Sequence, residues 1–115
     1  MTADEAEFDQ SLLDMLNEDL GPETFAFLLD KCVEDVRIRL EKLSSLPSLG
    51  EDPATVRFLA HQLKGVFLQF GANAASRDAA ALETADSGNA GDRLARLRVS
   101  AMRALDHFER LRGPA

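Results

Sequence analysis

The sequence predicts an all-α fold, an antiparallel four-helix bundle with a short additional N-terminal helix, and three observations carry that reading. Leu (18) and Ala (17) dominate the 115 residues, while Val, Ile and Thr together number only 10. Straight-chain helix formers are therefore abundant and β-branched residues scarce. Apolar residues recur at steps of three and four through long stretches, the period of a helix with one buried face. Glycine, proline and short polar turns cut the chain at intervals, leaving no long linker, repeat or low-complexity tract. The length suits a single domain over residues 1–115.

The N-terminal helix is expected from Phe8 to Leu20, with Phe8, Leu12, Met15 and Leu16 at helical spacing. Gly21 can take positive φ, and Pro22 fits the first position of a new helix. The second helix reads Phe25, Leu29, Cys32, Val33, Val36, Leu40 and Leu43, one apolar stripe that Pro47 and Gly50 terminate. Asp52-Pro53 then combines an N-cap with a proline at the first helical position. The third helix runs from Pro53 to about Phe70, where Gly71 breaks it. A fourth, from about Ala74 to Ala85, follows Asn73 and is rich in alanine, so it can approach its neighbours closely. Asp86-Ser87-Gly88-Asn89 is a turn by composition. The last helix shows Leu94, Leu97, Ala101, Leu105 and Phe108 and stops near Gly113-Pro114. Long amphipathic helices with short connections imply antiparallel neighbours.

Charge and composition exclude several function classes. The chain carries 13 basic and 20 acidic residues, a net charge of −7 that argues against nucleic acid as the main partner. The charge is uneven: residues 1–52 hold 14 acids and 4 bases, and residues 53–115 hold 6 acids and 9 bases. Arg93, Arg96, Arg98, Arg103 and Arg110 in the last helix have no aromatic platform beside them and are expected to be balanced by the acidic first half. No apolar run approaches the ~20 residues needed to span a bilayer, and the acidic N-terminus lacks the basic start of a secretory signal. The single Cys32 excludes an internal disulfide and fits a reducing compartment, so a cytoplasmic location is expected, with no membrane partner. His61, His107 and Cys32 have no paired spacing, so no metal site is expected, and no serine sits in an activating motif. His107 shares a helix face with Arg96, Ser100, Arg103 and Arg110 and reads as a surface residue.

The third helix holds the chemistry. On a wheel of about 100° per residue, Val56, Leu59, Leu63, Val66 and Phe70 fall within about 50° of the side opposite His61. That stripe is the expected core face, and His61 points away from it. Within about 60° of His61 lie Arg57, Phe58, Lys64, Gly65, Leu68 and Ala72. Lys64, one turn on, can bring an ammonium to an anion on the imidazole. Gly65 costs the helix roughly 1 kcal/mol relative to Ala and offers clearance for another surface. Each feature alone also fits a plain surface helix, and the Gly could simply ease packing on a neighbour. Their coincidence within two turns is what singles out the face.

Leu59-Ala60-His61-Gln62-Leu63-Lys64-Gly65, then Phe70-Gly71-Ala72, then Leu82-Glu83, resembles the histidine-containing phosphotransfer (HPt) domain family. The family pattern is A-H-x-L-K-G, a Gly ten residues after the His, often with Ala next, and frequently an L-E pair further on. The resemblance covers essentially the whole chain, since the family fold is a four-helix bundle of this size. It implies that His61 carries a phosphoryl group on its outward ring nitrogen, taking it from a receiver-domain aspartyl phosphate or a kinase and passing it on. Lys64 would offset the phosphoryl charge, and Gly65 would clear the receiver's loops. Glu83 would accept the other ring N–H, against the plain reading that it only solvates its helix. Arg57, Leu68 and Gly71 are the expected docking residues.

Nothing resembles an ATP-binding box, a P-loop or a magnesium carboxylate cluster, so the chain is expected to be a carrier and not itself an enzyme. It would need no cofactor of its own; Mg²⁺ would sit on the partner, a response-regulator receiver domain or a hybrid sensor histidine kinase. A monomer is the expectation from the resemblance, and Met1 with the Gly113-Pro114 ending favours a free-standing protein. The stretch Val66-Phe67-Leu68-Gln69-Phe70 departs from the small residues common in the family, which implies a spread neighbouring helix or a larger apolar docking surface. The alternative is a docking module of the same fold that regulates a kinase or receiver without phosphotransfer, though such a module needs neither His61 nor Lys64. A scaffold bundle ranks third.

Overall fold

A computed structural model describes residues 7–113, which form five helices and no β-strand. These are α1 (Gln10–Leu20), α2 (Pro22–Ser45), α3 (Pro53–Gln69), α4 (Asn73–Glu83) and α5 (Ala90–Arg112). The boundaries follow local chemistry. The Asp9 carboxylate caps α1 by accepting from the Leu12 amide at 3.1 Å, and Asp52 caps α3 by accepting from Thr55 at 3.2 Å, with Pro53 in the first turn. Gly21, at φ 85°, ends α1 and starts α2. In the α4–α5 turn, Asp86 Oδ1 accepts from the amides of Gly88 and Asn89, and Asn89 Oδ1 accepts from the Asp86 amide.

Helices α2, α3, α4 and α5 close a ring of contacts, α2 on α3, α3 on α4, α4 on α5 and α5 on α2, while α1 packs against α2. The enclosed core includes Leu29, Val36, Leu63, Phe67, Leu82, Leu97, Leu105 and Phe108. On α3 the buried residues are Val56, Leu59, Ala60, Leu63 and Phe67. Val66 and Phe70, expected in the core stripe, are only half-buried: α3 is gripped between α2 and α4, its buried face centres on the side of Val56, between Leu63 and Phe67, and Phe70 is the C-cap beyond the last helical residue. Phe67 therefore fills the core and enlarges no docking surface. Facing it, α4 buries Ala75, Ser76 and Ala79, and these small residues let the two helices approach closely.

The N-terminal segment differs from expectation. Phe8 lies before α1 and forms an isolated antiparallel bridge with Ala72, and the Asp9 amide donates to Gly71 O at 2.7 Å. The Phe8 ring stacks on His107, centroids 4.1 Å apart, and His107 Nε2 lies 3.2 Å from Gln10 Oε1. His107 is thus a half-buried anchor for this segment, not a plain surface residue. Of the five arginines noted in the last helix, only Arg103 meets a carboxylate of the acidic first half among the described residues, Glu7 at 3.8 Å.

Gly71 sits at φ 68°, and a Cβ there would lie 3.0 Å from both Cβ and O of Asp9. A Cβ on Gly65 would meet nothing within 4 Å. The two glycines should respond oppositely to alanine. Gly71→Ala is expected to destabilise the chain by about 1–3 kcal/mol through backbone strain and the Asp9 contact, and Gly65→Ala to stabilise it by about 0.5–1 kcal/mol through helix propensity. Urea midpoints of the two variants check both signs.

Candidate functional site

With its apolar stripe turned inward, α3 holds His61 outward, and the His61 side chain is 65% exposed. Glu83, the last residue of α4, comes alongside because α4 packs closely on α3. His61 Nδ1 lies 2.9 Å from Glu83 Oε1, and Lys64 Nζ lies 2.9 Å from Glu83 Oε2. Each carboxylate oxygen thus takes one partner. The Lys64 hydrogen bond is the main influence holding the Glu83 carboxyl below the usual glutamate range; partial desolvation opposes it, and the contact with His61 adds to the lowering.

An ionised carboxylate only accepts hydrogen bonds, so Nδ1 carries the hydrogen in this contact. In the neutral ring the lone pair is then on Nε2, which has no hydrogen-bond partner among the described residues. Glu83 titrates lower in the folded chain than unfolded, so its contribution to stability is fully present above the unfolded value near 4.3. It is lost as pH falls through the lower folded value.

The Lys64 ammonium, expected beside the imidazole, is paired with Glu83 in the unphosphorylated chain. Sequence spacing gave no sign of this pairing, since the two residues lie on different helices. Gly65 is exposed one turn after His61, and the open space around it removes the reading that it eases packing on a neighbour. Arg57 and Leu68 lie exposed on the His61 face, Leu68 at 54%. Phe58, at 62% exposed, stands there too; the helical wheel placed it near His61, and its apolar bulk on a polar face was the signal that it belongs with Leu68. Gly71 is corrected: it is buried against Asp9 and shapes the α3–α4 turn, so it cannot present a docking contact.

No group of three His, Cys, Asp or Glu among the described residues could hold a metal ion. Among them, too, no helix is long and apolar enough to cross a membrane. The Cys32 thiol is buried, and desolvation, aided by Asp35, pushes its pKa up to about 12. It is no nucleophile near neutral pH.

Compared with known protein families, the chain matches the model of the Hpt domain over residues 28–112, a span that holds most of α2, all of α3, α4 and α5, and with them His61, Lys64, Gly65 and Glu83. No curated protein and no solved structure matches it.

Proposed function

The chain belongs to the Hpt domain family, and from that premise we propose that it is the histidine phosphocarrier of a two-component phosphorelay, with His61 as the carrier. In this reading the fold is the antiparallel four-helix bundle of the family. The single observation that carries the proposal is the Nδ1 contact with Glu83, which leaves Nε2 as the basic nitrogen of an exposed imidazole.

The Nε2 lone pair attacks phosphorus of a receiver aspartyl phosphate, an N–P bond forms, and the P–O bond to aspartate breaks with its electron pair leaving on the carboxylate. The phosphorylated ring keeps the Nδ1 hydrogen and gains positive charge, which Glu83 offsets across the 2.9 Å contact. A receiver aspartate downstream attacks the same phosphorus, and the ring leaves as neutral imidazole. With Glu83 negative and Lys64 positive the cluster is electrically balanced before transfer. Lys64 keeps the arriving phosphoryl group from facing an uncompensated carboxylate. Glu83→Ala is expected to slow labelling of His61 by phosphoramidate about ten- to hundredfold; an unchanged rate means the carboxylate plays no part.

The partner is a receiver domain, in a response regulator or a hybrid sensor kinase, bringing its own aspartate and Mg²⁺. Arg57, Phe58 and Leu68 would border its docking surface, and the open space at Gly65 admits its loops. Gly65→Gln tests this by splitting two rates. Labelling by phosphoramidate should stay within about twofold, while transfer from a phosphorylated receiver should fall about tenfold or more. Equal rates from the receiver would remove the clearance role. Docking without transfer is the weaker reading, because a pure docking surface has no use for a carboxylate that selects one imidazole nitrogen.

A further inference from the structure

Glu83 is the last residue of α4, where the helix runs out of backbone donors for its carbonyls. The Thr84 amide reaches Ala80 O at 3.3 Å, but the Ala85 amide turns to Leu82 O at 3.1 Å, so the backbone ladder skips Ala81 O. That carbonyl accepts instead from Arg93 Nη1 at 2.6 Å and from the Thr84 hydroxyl at 3.3 Å. The same Arg93 nitrogen lies 3.3 Å from Thr84 Oγ1. Arg93 sits near the start of α5, is half-buried, and pairs with no carboxylate among the described residues. Its cation meets the negative end of α4, where positive charge is favoured.

We propose that Arg93 is a positioning residue for the phosphoryl-accepting nitrogen: by supplying the donor that Ala81 O lacks, it fixes the last turn of α4 and so holds the Glu83 carboxylate against His61 Nδ1. The inference rests on the carrier reading of His61. Removing Arg93 leaves Ala81 O with only the longer Thr84 hydroxyl contact and loosens the turn two residues before Glu83. The carboxylate then spends less time on Nδ1, and the imidazole drifts toward the tautomer with hydrogen on Nε2, which has no lone pair there to attack phosphorus. A merely structural role, with buried Leu82 alone setting the turn, would change stability without changing the tautomer.

The test pairs long-range ¹H–¹⁵N spectra of the His61 ring with phosphoramidate labelling of the full chain, for wild type, Arg93→Gln and Arg93→Lys. Wild type should hold its hydrogen on Nδ1. Arg93→Gln should lower that share and slow labelling about three- to tenfold. Arg93→Lys, which keeps a cationic donor, should recover part of both. A folded Arg93→Gln chain with wild-type tautomer and rate overturns the inference. Should Arg93→Gln not fold, Thr84→Val decides: a smaller shift in the same direction supports the inference, and an unchanged tautomer overturns it. The two readings fail separately. A wild-type chain that takes no label, yet loses its Nδ1 hydrogen when Arg93 is replaced, defeats the carrier reading and leaves the positioning of the ring intact.

Discussion

His61→Gln is expected to abolish phosphate labelling of the chain by phosphoramidate or by any phosphorylated receiver, while leaving the fold intact. The loss should be complete because the chain's other imidazole, His107, is stacked on Phe8 and lies within hydrogen-bond reach of Gln10 at the far end of α5. Glutamine keeps a neutral polar side chain at an exposed position, so stability should change by no more than about 0.5 kcal/mol. Glu83 retains Lys64 as its partner in the variant, so the cluster is not left with an unpaired carboxylate. Intact-mass measurement after phosphoramidate treatment, beside a urea unfolding curve, reads both halves. Phosphate persisting on the variant would place the acceptor elsewhere.

Phe67→Ala is expected to have the largest effect on stability, about 3–5 kcal/mol, a large share of the roughly 5–15 kcal/mol typical of a domain. Phe67 is fully buried in the ring of helices. Phe70, which a regular wheel puts at the centre of the core face, is half-buried and meets Phe108 edge-on with centroids 5.9 Å apart. Phe70→Ala should therefore cost less, about 1–2 kcal/mol. The order of the two urea midpoints at unchanged m shows which phenylalanine the core holds more tightly. Should Phe70→Ala cost more than Phe67→Ala, the inward face would be centred on Phe70, as the regular wheel has it, and the burial of Phe67 would not be what sets the packing of α3.

What the sequence made legible was local. Asp52-Pro53 and Gly21-Pro22 announced helix starts because caps and proline act within one turn, and the structure has helices beginning there. The outward direction of His61 was readable for the same reason, since one helix's apolar stripe fixes its opposite face. The finer rotation of α3 was not, because the wheel treats the core as lying on one side, whereas α3 is held between two neighbours. Contacts between distant segments were hidden altogether. Gly71 was visible as a helix breaker, but nothing in its surroundings announced Asp9 as the residue packed on it. The Phe8–His107 stack and the Lys64–Glu83 pair join segments whose spacing follows no local period. Glu83 stood between: its place in the family pattern pointed to His61, and the small residues Ala75, Ser76 and Ala79 let the helices come close enough for a 2.9 Å contact.

The carrier role of His61 is tested most directly by incubating the wild-type chain with a panel of radiolabelled, phosphorylated receiver domains. The expected result is label on His61 that is lost in acid, survives alkali and passes to a second, unphosphorylated receiver. The contradicting result is a chain that takes no label from any donor and whose His61 also stays unmodified by phosphoramidate, which would leave the imidazole without the reactivity that the Glu83 contact is proposed to confer.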